Sequence, residues 1–509
     1  MGNIVKKQMA LGVVFSYLLI IMKLLVGIVY TPIILRLLGP SEYGVYSLTV
    51  SIVGYLTILD AGANAAYIRF YVQAKTNDLN KSYSLNMFFL LFFISFAIIA
   101  SILCFFISMK STFIFGKKIS SDEYYLIQKC LNWLAISIFF EVSGSLWRSM
   151  IIANEKFAFG KFLNLLVYIS VPIISIPLLI KGYDCSCILL IRVIIRAVEF
   201  FIEMFFCLFI LHEKFSFKGI DKQLVLIILN FIGFIVIQSI MDQLNWQVDK
   251  FILSHTHGTQ EISLYSIGTT FNNIYMTISA SLAGVFIAEA NKLVAQNKSE
   301  ELNDLFIKTS RLCTYVVVII MLEYSLFGHS FVCRWAGDNY SKSYLVGFLL
   351  MFPLTFSLCL GMGQDITRAK NKHRLQVLLD FAVCVINTFL SIPLALKWGA
   401  VGCAIGTFFS ELILCCIIQP IYYQKVVGLN MKLTFKKISE VLKGCIIPIL
   451  YGICIRLFGV NTHTYKTMLL HGGIVLFLYG ISIYFFSFND YEKNLIKYNC
   501  LKWRKKNDF

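Results

Sequence analysis

Charge is scarce in this chain: Asp, Glu, Lys and Arg make up 14% of its 509 residues, against 58% hydrophobic. A soluble globular chain carries roughly a quarter charged residues. Most of this surface therefore faces an apolar solvent, and that solvent is a bilayer. Period-2 alternation is missing too, which argues against a β-barrel. No G-x-x-x-x-G-K-[ST] stretch occurs, so ATP is not bound through a P-loop. The segments between apolar runs are too short for a catalytic domain, and no catalytic cluster stands in them. His255 and His257 have no Cys or carboxylate partners at metal spacing, and Cys185 and Cys187 lack a four-ligand pattern. Most of the fifteen Cys lie within apolar runs and read as small buried hydrophobes. No cofactor, no metal and no enzymatic chemistry are expected of the chain.

What the sequence has is long apolar runs. A helix needs about 20 mainly apolar residues to cross the hydrocarbon core. Runs of that kind cover 10–35, 43–67, 83–109, 124–150, 158–180, 185–211, 223–249, 264–288, 309–333, 343–364, 374–396, 399–424, 438–459 and 467–488. The expected fold is an all-α polytopic membrane protein of about fourteen transmembrane helices. The first run is too long for a signal peptide and has no convincing small-residue cleavage site, so it reads as a retained helix. The net charge of +17 gathers on one side. Lys6 and Lys7, Arg69, Lys75 and Lys81, Arg368 to Arg374, the segment 425–443 and the tail from Lys502 all fall in inner loops if the N-terminus is inside. This positive-inside bias places both termini in the cytoplasm and accounts for the basic surplus through topology and lipid headgroups, without nucleic acid.

The chain is written twice. Gly39, Glu42, Tyr46 and Ser47 recur as Gly258, Glu261, Tyr265 and Ser266, each 219 positions on, and "SIPLLIK" from Ser175 returns as "SIPLALK" from Ser391. Spans 1–6 thus match spans 7–12, and an even number of crossings makes the repeats parallel, about an axis along the membrane normal. The expected organisation is a six-helix bundle over 1–211, its repeat over 212–424, and a basic linker with two further helices and a tail over 425–509. Gly39 and Pro40 suit a sharp reversal between spans 1 and 2. The lysines of 425–443 suit an interfacial helix.

Polar groups inside spans mark the interior of a membrane bundle. Gln238, Asp242, Asn245 and Asp249 follow i, i+4, i+7, i+11 in span 7, and Ser16, Lys23, Gly27 and Tyr30 form a weaker stripe in span 1. Lys23 and Asp242 differ by 219, so pseudo-twofold symmetry sets them opposite each other near mid-membrane. Span 2 carries Thr57, Asp60 and Asn64; span 6 carries Arg192, Arg196, Glu199 and Glu203. The span 6 set reads either as a self-neutralising ladder or as a cavity lining, and spacing leaves both open. Glu141, Glu323 and Glu411 each stand alone in mid-span, as hydrogen-bonding acids or as ion-coupling groups. Arg148 sits near the cytoplasmic end of span 4, as an interfacial anchor or within reach of a phosphate at the inner mouth.

The stretch "PIILRLLGPSEYGVYSLTVSIVGYLTILDAGANAAYIRF", 32–70, resembles the N-terminal signature of bacterial polysaccharide exporters. These are the Wzx-like O-antigen and capsule flippases of the multidrug/oligosaccharidyl-lipid/polysaccharide (MOP) superfamily. The matching positions are Arg36, Leu38, Gly39, Glu42, Tyr43, Gly44, Asp60, Gly62 and Arg69, and "GAVGCAIGT" from Gly399 resembles the Gly- and Ala-rich stretch opening span 12. The resemblance implies a V-shaped, alternating-access bundle in the bacterial plasma membrane that flips undecaprenyl-diphosphate-linked oligosaccharides outward. On that reading Lys23 meets the diphosphate, with Arg192, Arg196 and Arg148 next. Tyr30, Asn245, Asn272 and Gln238 contact sugars; Asp242, Asp60, Glu141, Asp249, Glu323 and Glu411 couple ions or pair with the bases. Implied partners are the lipid-linked oligosaccharide, membrane lipids, a polysaccharide polymerase and a chain-length regulator. One feature departs from the pattern: membrane acids outnumber membrane bases. That surplus suits a cation-coupled multidrug exporter of the same superfamily, which is the rival reading.

Overall fold

The computed structural model describes residues 2–217, 222–460, 462–489 and 492–493; the side chains of 2–10 and of Val13, Phe234, Gln238, Asp242, His373 and Arg374 lie outside the description. Among the described residues ten helices are long and apolar enough to cross a membrane, or eleven if the bent pair Thr259–Gly284 and Ile287–Ala295 is one span. Fourteen runs become ten for identifiable reasons. Val14–Leu56 and Leu375–Val427 each take in two expected spans, which meet at a non-helical glycine, Gly39 and Gly399. Ser186–Phe205 is not among the ten because Arg192, Arg196, Glu199 and Glu203 break its apolar character.

The helices used below are α1 (Gly2–Leu56), α2 (Ile58–Asn77), α3 (Leu79–Met109), α4 (Ser121–Ala153), α5 (Phe157–Ile180), α6 (Ser186–Phe205), α7 (Lys222–Thr256), α8 (Thr259–Gly284), α9 (Ile287–Ala295), α10 (Ser299–Ala336), α11 (Lys342–Cys359), α12 (Met362–Ala369), α13 (His373–Ile413), α14 (Met431–Leu442), α15 (Ile446–Leu457) and α16 (Tyr465–Phe486). The expected span 43–67 is broken at Thr57, which separates α1 from α2.

Contacts divide the chain into two units. The first holds residues up to Ser266 with Ile392–Cys403; the second holds Ile267–Ser391 and the chain from Ala404. In the first unit α2, α3 and α4 pack around Tyr67, Phe89, Phe93 and Leu131, all fully buried, while Leu91, Ile99 and Phe106 face outward. In the second, Tyr275, Phe306, Met351, Ile366 and Tyr423 form one core. Large exposed apolar side chains on such helices are what a lipid solvent asks for, because the bilayer rather than water covers them.

The repeat is visible in the backbone. Gly39 (φ 72°) breaks α1 and its mate Gly258 (φ 91°) separates α7 from α8. Gly182 and Gly399, following the two "SIPL" segments, are also left-handed at φ 87° and 57°. Glycine adopts these angles without steric cost, which explains its place at each turn. The hydroxyls of Ser47 and Ser266, repeat mates, are 2.6 Å apart and hydrogen-bonded. Glu42 accepts the backbone N–H of Cys185 at 3.2 Å, at the start of α6, and its mate Glu261 accepts that of Ala400 at 2.6 Å, just beyond the break at Gly399. A carboxylate thus meets the positive end of a helix in both repeats. Gly44 is required by a close approach: a Cβ there would collide with the carbonyl oxygen of Thr259. The segment expected at an interface forms α14, whose Met431, Thr434, Ile438 and Val441 are buried while Leu433 and Phe435 are exposed.

Candidate functional site: a charged cluster inside the first unit

Three helices of the first unit bring their polar stripes together. Helix α4 offers Glu141, Ser145 and Arg148, α6 offers Arg192, Arg196, Glu199 and Glu203, and α2 offers Asp60 and Asn64. In each case the spacing is three, four or seven residues, which puts the set on one helix face. Arg192 lies 2.7 Å from Glu141, and Arg196 lies 3.6 Å from Glu141 and 2.6 Å from Glu199. Arg148 lies 3.5 Å from Glu203 and 3.9 Å from Glu199. Ser145 donates to Asp60 at 2.8 Å and receives a 2.6 Å bond from Arg148; Ser149 donates to Asn64 at 2.8 Å.

Two of the carboxylates lie deeper than the bases. Glu199 and Glu203 are 1% and 2% exposed, whereas the three guanidiniums are about a fifth exposed. Four carboxylates meet three guanidiniums, and Asp60 Oδ1, Glu199 Oε1 and Glu203 Oε2 have no hydrogen-bond donor among the described residues. Each guanidinium has five N–H donors in a fixed fork that matches carboxylate and phosphate oxygens alike. The arrangement can therefore exchange one anion for another, or hold one cation against its surplus carboxylate.

This placement changes one reading and adds to another. Glu141 is not alone: it is shared by Arg192 and Arg196, because the i+4 stripes of α4 and α6 face each other. Arg148 turns back to the carbonyl of Glu141 and to Ser145, and α6 presents two carboxylates to it. The ladder within α6 does form, from Arg196 to Glu199.

Other expected residues lie elsewhere. Tyr30 is buried and shares a 2.7 Å hydrogen bond with Ser175, which ties α1 to α5. Lys23 is exposed on α1 and has no ion pair among the described residues. The side chains of Asp242 and Gln238 lie outside the described residues, as does any contact of Lys23 with Asp242. Asn245 is half-buried, and Asp249 is fully buried, accepting from the Tyr265 hydroxyl. In the second unit Asn272 is buried with its amide 3.9 Å from the Met276 sulfur, Glu411 lies 3.7 Å from the Cys415 thiol, and Glu323 stands against Gly472 of α16.

Two polar junctions escaped the sequence. Glu213 is 8% exposed and accepts from Tyr71, Lys75, Asn86 and Asn154, gathering the ends of α2, α3 and α4. Arg311, 2% exposed, grips Glu492 at 2.8 and 3.0 Å, Glu440 at 3.2 Å and the Ser487 carbonyl at 2.8 Å. Its partners are more than a hundred positions away, so no local pattern announces them.

Residues 33–345 match the family described as "Polysaccharide biosynthesis protein". A curated relative from Shigella flexneri, described as "Putative O-antigen transporter", is 23% identical over 397 residues, covering 76% of this chain and 91% of that one. Among solved structures, a lipid II flippase MurJ in an inward closed conformation superposes with a TM-score of 0.74 at 17% identity, covering 93% of this chain and 99% of that one. An inward-facing multidrug MATE transporter of the MOP superfamily gives 0.60 at 12% identity, covering 82% and 99%. These structural likenesses bear on fold alone: the chain shares the fold of that flippase and that transporter. With the match over 33–345 and the apolar helices above, this is a polytopic membrane protein that belongs to the polysaccharide biosynthesis family.

Proposed function

We propose that this protein is a flippase that carries polyprenyl-diphosphate-linked oligosaccharide units from the cytoplasmic to the outer leaflet of a bacterial plasma membrane. Both termini are cytoplasmic, and the units serve O-antigen or capsule assembly beside a polymerase and a chain-length regulator. The observation that carries the reading is the Arg148, Arg192 and Arg196 cluster inside an apolar bundle of this family. Moving a diphosphate and several sugars through hydrocarbon unaided is prohibitive, so fixed cations must replace water. The diphosphate competes with Glu141 for Arg192 and Arg196, and the displaced carboxylate takes up a cation. That exchange couples transport to an ion gradient by alternating access of the two repeats, with Lys23 and Asp242 as the facing pair between them. Tyr30, Gln238 and Asn245 on α1 and α7, and Asn272 on α8, are the nearest candidates for sugar hydroxyls.

The carboxylate surplus favours a second reading, cation-coupled export of small cationic molecules. Deletion of the gene separates the two. Loss of surface polysaccharide with accumulation of lipid-linked units supports the flippase; intact polysaccharide with raised dye sensitivity supports the exporter. Lys23→Ala and Asp242→Ala should each impair export while membrane insertion stays normal, and normal export by both variants refutes the facing pair.

A further inference from the structure

The two repeats build the same junction at the end of the bundle that the charge bias assigns to the cytoplasm, yet they furnish it with different charges. Left-handed residues fix the register. Glu155 (φ 59°) corresponds to Asn371 (φ 53°), and His212 (φ 53°) to Gly428 (φ 84°), each pair 216 positions apart. The residue before α3 is Asp78, and its mate before α10 is Lys298, 220 positions on. By the same register Asn154 corresponds to Lys370, Lys156 to Lys372, and Glu213 to Leu429.

In the first repeat the acids of the junction find partners. Asp78 caps its helix by accepting from the Asn80 N–H at 2.9 Å, and Glu213 gathers Lys75, Asn86 and Asn154 at 3.2, 3.1 and 2.9 Å. In the second repeat the acids become Lys298, Asn371 and buried Leu429. A cavity of about 400 Å³ opens there, lined by Asn297, Lys298, Ser299, Lys370, Asn371 and Lys372 among others. The 38-residue helix α10 starts at its edge without a side-chain cap, so its first N–H groups have no acceptor from a capping side chain.

The lysines are held but not spent. Lys370 donates to the Val427 carbonyl at 2.8 Å, Lys372 to the Val426 carbonyl, and Lys298 pairs with Glu301 at 2.7 Å. Each ammonium has three donors, so among the described residues two remain on each. Burial, with the neighbouring charge of Lys372, holds the Lys370 ammonium below its ordinary range, an electrostatic cost that a bound anion relieves. Folding does not demand Lys298 or Lys370, because the first repeat makes the same junction with Asp78 and Asn154 at those places; Lys372 keeps its mate in Lys156.

We propose that this cavity of the second repeat is a binding site for a phosphate-bearing anion, held by Lys298, Lys370 and Lys372 at the start of α10. The phosphate belongs either to a lipid headgroup or to a soluble compound. The test uses the full-length protein in phosphatidylcholine nanodiscs, with phosphatidylglycerol and inorganic pyrophosphate as probes, read by native mass spectrometry and titration calorimetry. The wild type should bind at least one probe, and Lys298→Gln with Lys370→Gln and Lys372→Gln together should weaken it about tenfold or more, since charge-assisted bonds are the strong ones. Retention of phosphatidylglycerol alone assigns a headgroup; pyrophosphate alone assigns a soluble anion. A second variant, Lys298→Asp with Lys370→Asn and Leu429→Glu, installs the first repeat's own set and should also abolish binding. No binding of either probe by the wild type, or equal binding by the wild type and both variants, overturns the proposal.

Discussion

Glu141 is the hinge of the charged cluster, and replacing it by Gln is the most revealing perturbation. Its carboxylate sits 2.7 Å from Arg192 and 3.6 Å from Arg196, with side chains about a fifth exposed on both sides. Removing one partner of a buried ion pair costs about 3–5 kcal/mol. Here glutamine keeps an oxygen that can accept from Arg192, Arg196 keeps Glu199, and water reaches part of the pair. The expected loss from Glu141→Gln is therefore lower, about 2 kcal/mol. Arg192→Gln should cost about 1 kcal/mol, because Arg196 still faces Glu141. In the double variant neither charge is stranded, so the cycle should return a coupling energy of about 1–2 kcal/mol. The assay is reversible unfolding in mixed detergent micelles for the wild type and the three variants. A coupling energy below about 0.5 kcal/mol means the two residues are energetically independent, and it would refute both the ion pair and the anion exchange built on it. A transport readout on the same proteins adds the functional half: Glu141→Gln should weaken the dependence on an ion gradient more than it weakens substrate binding.

Arg311→Ala leaves Glu492 without its cation, while Glu440 keeps Lys437, and takes the guanidinium from the Lys437 and Ser487 carbonyls, so local opening of α14 and the end of α16 should be favoured by about 2 kcal/mol, or roughly 30-fold in amide exchange. Unchanged exchange in those segments would dismiss the clamp. Gly44→Ala forces the backbone away from Thr259 and should lower stability by about 1–3 kcal/mol. Gly39→Ala meets no atom within 4 Å and carries only the left-handed strain, about 1 kcal/mol, so thermal unfolding should rank Gly44→Ala the more severe; the reverse order would contradict the close approach.

The sequence set out much of the architecture in readable form. Apolar runs give membrane helices because length and hydrophobicity are local properties, and the repeat shows itself because both copies keep the same turn residues. Gly39 and Gly258 were legible as turns since only a residue without Cβ suits that backbone. Helix boundaries were less legible. The break at Thr57 had no turn residue to announce it, whereas the break in α13 falls at Gly399, between the two expected spans.

The candidate site shows the same division. Stripes on α4 and α6 follow from spacing alone, so Arg192, Arg196 and Arg148 could be named from the sequence. Their partners could not. That Glu141 belongs to two arginines of another helix, that Glu213 closes one repeat while Leu429 leaves the other open, and that Arg311 reaches Glu492 are facts of tertiary packing. By itself the sequence determined that this chain lives in a membrane, is built twice, and carries charge on particular helix faces, because each follows from local composition and period. Only the tertiary structure decided which charges cancel and which remain, because electrostatic pairing depends on distances of a few ångströms between residues far apart in the chain.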